Sequence, residues 1–268
     1  MKNLLFSICA FLFTTSLFAQ DEAFLRRLEE SPRHHEWIKT KHGDREVHSF
    51  LVFPEVKEKV MAVIVIHENR GLNDWARGMA DQIAEAGYIA IAPDLLSGSG
   101  PDGGKTADFA NSDAARTAIY DLDPDQVTGD LNAVYEFVKT LDATNGKVAV
   151  IGFCWGGSQT FRYVTNNSEL DAAFVCYGGA PKDATSFSKI NTPIYGFYGG
   201  NDARVNAGIP ATEKNMKENG KFYEPVIYDG AGHGFFRAGE MKNASEENAK
   251  AREEGLKRLK KLLDTVNE

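Results

Sequence analysis

Cysteine is scarce in this chain, with three in 268 residues, at positions 9, 154 and 176. No two of them are spaced C-x-x-C. A disulfide-stapled scaffold is excluded, because a chain of this length buries a core without staples, and a structural zinc site has little to build on. Basic residues are also in short supply. Thirty Lys and Arg against 38 Asp and Glu leave a net charge of −8 and a pI near 5.4. With no basic face to neutralise phosphates, nucleic acid is excluded as a partner. Long apolar runs are absent except for Leu4–Phe18, which is shorter than the ~20 residues a membrane span needs. With Lys2 ahead of it and Ala19 at its end, this run reads as a signal peptide over residues 1–19. Export to the periplasm or beyond is the expectation, with no membrane contact once the segment is removed. Residues 20–268 are then expected to form one domain that keeps Cys154 and Cys176. Its make-up, 43% hydrophobic and 25% charged over the whole chain, is that of an ordinary globular protein.

What is present is a regular alternation. Residues 21–33 are polar and fit a short helix or an ordered tail. Glu36–Thr40 and Glu46–Phe53 flank the turn signal at Lys41–Asp44 and predict a hairpin. Met61–Ile66 is continuously apolar, as a strand buried on both faces should be. Trp75, Met79 and Ile83 then share one helix face, and Gly87 ends it. Further strands are predicted at Tyr88–Ala92, Val148–Ile151, Ala172–Tyr177, Pro193–Tyr198 and Phe222–Tyr228. Helices are predicted through Leu131–Leu141, around Gln159–Val164 and through Leu256–Val266. The pattern is α/β: an open, mostly parallel sheet covered by helices on both faces, with the antiparallel hairpin at one edge. Leu95–Asn111, rich in Gly, Ser and Asp, lacks periodicity and reads as a long loop of the kind that carries function or moves.

One turn stands out. Gly152-Phe153-Cys154-Trp155-Gly156-Gly157 joins a predicted strand to a predicted helix and has the form G-x-S-x-G, with Cys in place of Ser. The glycines suit a bend too tight for side chains. The helix amino end favours a thiolate at Cys154, and the Trp155 backbone N–H faces a developing oxyanion. Phosphate-loop spacings do not occur here. A nucleophile needs a base and the base an orienting group. Downstream of Cys154 the only His is His233, in Gly-His-Gly-Phe-Phe, and between them lies Asp202, in Gly-Asn-Asp. Each of the three follows the carboxyl end of a predicted strand, where open α/β sheets place ligands. The strand at Met61–Ile66 runs into His67-Glu68-Asn69-Arg70-Gly71. Asn69 is the candidate for a second oxyanion N–H, Glu68 puts a carboxylate beside the thiol, and His67 is expected to cap or pack the strand end.

Together, G-F-C-W-G-G at Cys154, H-E-N-R-G at Glu68, G-N-D at Asp202 and G-H-G-F-F-R at His233 resemble the dienelactone hydrolase family, from about Glu46 to the carboxyl terminus. The resemblance implies the α/β-hydrolase fold, a three-layer sandwich, and cleavage of a small ester or lactone by a Cys154–His233–Asp202 triad through an acyl-thioester. It implies no cofactor and no metal. It also implies that Glu68 pairs with the resting thiol and helps deprotonate it, and that Arg237, four positions after His233, holds a substrate carboxylate. Arg70 is a candidate to assist Arg237. One departure is plain: Leu95–Phe109 holds no Arg, where the dienelactone-cleaving enzymes carry a second substrate-binding one. Two other readings stay open: an exported binding protein that kept the fold without turnover, and a disulfide joining Cys154 to Cys176. The sequence leaves the oligomeric state open.

Overall fold

Strand β3 (Val60–Ile66) shows how the sheet is built, because every one of its residues is buried. Met61, Val63 and Val65 enter one apolar cluster, while Ala62, Ile64 and Ile66 enter another. This is the two-residue period of a strand with a core on each face. The computed structural model describes residues 23–268, so the expected signal peptide at 1–19 lies outside the described residues. Residues 23–30 are helical (α1). The hairpin β1 (His35–His42) and β2 (Arg45–Val52) follows, then β3, α2 (Asp74–Glu85) and β4 (Ile89–Pro93). After these come α3 (Ser112–Tyr120), α4 (Pro124–Lys139), β5 (Thr144–Phe153), α5 (Trp155–Tyr163) and β6 (Ala172–Cys176). The chain ends with β7 (Ile194–Gly199), α6 (Ala203–Asn206), α7 (Ile209–Glu218), β8 (Tyr223–Tyr228), α8 (Phe235–Ala238) and α9 (Glu246–Asn267).

The eight strands form one sheet in the order β1-β2-β4-β3-β5-β6-β7-β8. β1 and β2 pair antiparallel with each other, and β2 antiparallel with β4; every later pairing is parallel. The hairpin therefore closes one edge, as the sequence pattern requires. Trp75, Met79 and Ile83 of α2 join Leu259 and Leu263 of α9 on one face of the sheet. Leu131, Val134 and Val138 of α4 join Phe161 of α5 on the other. Each such side chain contributes about 1.5–3 kcal/mol by leaving water, so the two layers and the sheet hold one another in place.

The structure corrects several boundaries. β5 is ten residues long and carries a register shift against β3 between Val60 and Ala62. Leu141 lies beyond the end of α4 at Lys139. Helices α3 and α7 have no counterpart among the sequence expectations. Leu95–Asn111 is a long loop, as expected, but it carries two short 3₁₀ turns, at Pro101–Gly103 and Thr106–Asp108, and is pinned. The buried Asp94 carboxylate accepts the Thr106 N–H at 3.0 Å and its hydroxyl at 2.7 Å, and Thr106 Oγ1 in turn accepts the Leu72 N–H at 3.0 Å.

Candidate active site

The site is assembled at the carboxyl ends of β3, β5, β6, β7 and β8, which the parallel register brings side by side. Cys154 follows β5 directly and has φ 55° and ψ −111°, a left-handed backbone rare for a residue with a side chain. Its N–H donates to the Cys176 carbonyl at 3.0 Å, which holds the bend. The flanking glycines are required by contact. A Cβ at Gly152 would lie 2.1 Å from the Gly156 carbonyl oxygen, and one at Gly156 would lie 2.4 Å from the carbonyl oxygens of Ile66 and His67. Gly156→Ala is therefore expected to destabilise the protein by at least about 1–3 kcal/mol, measured as a lowered urea midpoint. An unchanged midpoint would contradict the close-packed bend.

His233 links two groups that are far apart in sequence. Its Nδ1 lies 2.5 Å from Asp202 Oδ2, and its Nε2 lies 3.1 Å from Cys154 Sγ. A carboxylate can only accept, so the Nδ1–H donates to Asp202 and Nε2 is left to accept from the thiol. Asp202 is buried and also caps α6, accepting the Val205 N–H at 3.4 Å. The three sequence candidates are thus brought together in the order thiol, imidazole, carboxylate. Burial pushes the Cys154 thiol up, and the Glu68 charge pushes it further; the Trp155 backbone N–H, Arg204 and Arg237 pull the other way, and the net shift is upward. Both Cys154 and Cys176 are free thiols, so the structure contains no disulfide between them.

Glu68 departs from its expected pairing. Its Oε2 accepts from Arg237 Nε at 2.8 Å, and its Oε1 accepts from the Tyr177 hydroxyl at 3.3 Å. The thiol's partner is His233, not Glu68, and Arg237, expected to be free for a substrate, is engaged by Glu68. Tyr177 was not singled out by the sequence, where it reads as the last residue of an apolar strand. In the fold it follows β6 with φ 41°, is buried, and sets its ring edge-on to His233 with centroids 5.1 Å apart. Arg204 was also missed; it follows Asp202 by two residues, and its charge reaches the thiol. The signal available for both was position alone, just beyond a strand's carboxyl end.

The Trp155 ring stacks on His67 with centroids 5.5 Å apart and planes 11° from parallel. His67 is fully buried and packs as expected: its Nδ1–H donates to the Glu68 carbonyl at 2.8 Å, and its Nε2 accepts the Leu95 N–H at 3.3 Å. Burial lowers its pKa, and the neutral ring serves as a spacer between two loops. The Asn69 side chain donates to the Tyr120 hydroxyl at 3.2 Å. Among the described residues the Asn69 backbone N–H has no hydrogen-bond acceptor. Arg70 is exposed, at the rim of a neighbouring cavity.

Residues 47–267 match the model of the dienelactone hydrolase family. A relative from Saccharolobus solfataricus is 28% identical over 258 residues, which cover 82% of this chain and 95% of its own. A carboxymethylenebutenolidase from Pseudomonas putida is 28% identical over 220 residues, 78% of this chain and 90% of its own. Among solved structures, a dienelactone hydrolase-like promiscuous phosphotriesterase from metagenomic libraries superposes with a TM-score of 0.74 at 20% identity, over 87% of this chain and 98% of that one. That likeness speaks for the fold. The chain belongs to the dienelactone hydrolase family and is a hydrolase built on the α/β-hydrolase fold.

Proposed function

We propose that this protein hydrolyses a small ester or lactone through a covalent acyl-thioester on Cys154. The observation that carries this reading is the hydrogen-bonded series Asp202–His233–Cys154, at 2.5 and 3.1 Å, set on a strained strand-to-helix bend. His233 Nε2 takes the thiol proton as the sulfur attacks the carbonyl carbon. The oxyanion is held by the backbone N–H groups of Trp155 and Asn69. His233 then gives that proton to the leaving oxygen, and the C–O bond breaks to leave the thioester. Water, deprotonated by His233, attacks the thioester, and the acid departs as the proton returns to the sulfur. Asp202 stabilises the imidazolium in both halves. No metal or organic cofactor enters these steps.

Glu68 sets the state of the thiol at rest. Its charge, added to burial, keeps Cys154 protonated and guards it from adventitious oxidation. Arg237 favours substrates that carry a carboxylate, with Arg70 assisting. Such a group at Arg237 displaces Glu68 and releases it toward the thiol. The carboxymethylenebutenolidase name of the relative from Pseudomonas putida fits a lactone bearing an acidic arm. The segment at 1–19 supports export, and with it a substrate met outside the cytoplasm.

Two measurements test this reading. Hydrolysis of aryl esters and unsaturated lactones is expected to survive chelators and to stop on alkylation with iodoacetamide; activity that survives full alkylation of Cys154 would overturn it. For Glu68 the sign is fixed by charge. Glu68→Gln removes a charge that raises the thiol pKa, so the thiolate fraction at a given pH rises. The alkylation rate profile is expected to move to lower pH, and an unmoved profile would contradict the role given to Glu68.

A further inference from the structure

A cavity of about 480 Å³ lies beside the site, and Arg237, the partner of Glu68, is part of its wall. Two of its aromatic wall residues, Phe24 and Trp37, come from the segment before residue 47, where the family match begins. That segment is fastened down. Ser31 Oγ, Arg33 Nε and Nη2, and His35 Nε2 all converge on the buried Asp81 carboxylate at 2.6–2.9 Å, and Arg27 pairs with Glu240. Phe109 adds a third aromatic wall. The charges on its wall are mixed: Asp74 is paired with Arg77, Arg237 with Glu68, and the buried Asp94 carboxylate is taken up by Thr106. The N-cap residues of α2 and α3, Asn73 and Asn111, both line it, so two helix amino ends open there. Arg70 lies on its rim without an ion-pair partner among the described residues. Trp75, 2% exposed, also lines it, and its Nε1 has no hydrogen-bond acceptor among the described residues.

From these walls we infer that the amino-terminal strap, residues 23–37, builds a second substrate subsite. It takes a flat aromatic arm ending in a carboxylate, with the ring among Phe24, Trp37 and Phe109 and the anion at Arg70. This rests on the ester- or lactone-hydrolase reading for its place in the reaction, but the subsite is open to a direct binding measurement. A cavity of this size exceeds the needs of a single lactone ring and suits a substituted aryl group. Apolar walls supply affinity for the ring, and an exposed, unpaired guanidinium supplies selection for the anion.

The test uses the full chain with Cys154→Ala, so that binding is read without turnover. The probe is the monomethyl ester of benzene-1,4-dicarboxylic acid, with methyl 4-methylbenzoate as its neutral counterpart, titrated calorimetrically. The acidic probe is expected to bind about tenfold more tightly than the neutral one. Adding Arg70→Ala should remove most of that difference, the remainder being what Arg237 gives, and adding Phe24→Ala with Trp37→Ala should weaken both probes about tenfold. Circular dichroism of each variant confirms that the fold persists. Equal affinity for the two probes, binding indifferent to the strap substitutions, or no binding at all overturns the inference. None of those outcomes bears on the hydrolase reading, which is read separately in the wild-type protein as turnover of 4-nitrophenyl acetate.

Discussion

Cys154→Ala is expected to lose ester hydrolysis by at least about 10⁴-fold in kcat/KM. The size follows from the way the site divides its labour. Without the sulfur no thioester forms, and His233 has only bulk water to activate. The backbone N–H groups of Trp155 and Asn69 still polarise a bound carbonyl, so a small residue of catalysis over the uncatalysed reaction persists. Loss of the fold is not the cause. Cys154 is partly exposed, and the 3.0 Å bond from its backbone N–H to Cys176 does not involve the side chain. The thermal midpoint should therefore stay close to that of the wild type while activity with 4-nitrophenyl acetate disappears. A variant that keeps more than about a tenth of the rate places the nucleophile elsewhere.

Asp202→Asn is the second large effect, about 10³–10⁴-fold in kcat with little change in KM. The Asn side chain keeps the shape and the cap on α6, since its carbonyl oxygen still accepts the Val205 N–H. What changes is the imidazole. An amide nitrogen facing Nδ1 turns that atom into an acceptor, moves the proton to Nε2 and leaves nothing to accept from the thiol. The imidazolium also loses its only carboxylate partner in the triad, at 2.5 Å. Comparing kcat and KM with the unfolding midpoint separates this from simple destabilisation. A loss of stability with kcat retained would contradict the orienting role.

The elbow at Cys154 was legible in the sequence because its constraint is local. Only glycine survives 2.1–2.4 Å from a neighbouring backbone oxygen, and the spacing of those glycines around a lone Cys carries the geometry in six letters. β3 was legible because all seven of its residues are buried. Asp202 and His233 were found by position at strand ends, which topology then brings together. Helix α3 was not legible, since only Ala115 and Ile119 on it are buried, too few to print a period. α7 buries three, Ile209, Thr212 and Met216, one of them polar. The pinning of 95–111 depends on one buried carboxylate meeting Thr106 twelve residues later, a contact without periodicity. The Glu68–Arg237 pair spans 169 positions, and no spacing rule anticipates that the two would pair at rest. Tyr177 looks like the end of an apolar strand, and its role beside Glu68 exists only once β6 lies next to β5.

The most direct test is to acid-quench the enzyme during turnover of a 4-nitrophenyl ester and to map the acyl group by peptide mass spectrometry. One acyl increment is expected on the peptide that carries Cys154, released by hydroxylamine as a thioester and absent in Cys154→Ala. An acyl group on any other residue, or sustained turnover by enzyme whose Cys154 is fully alkylated, would contradict the account.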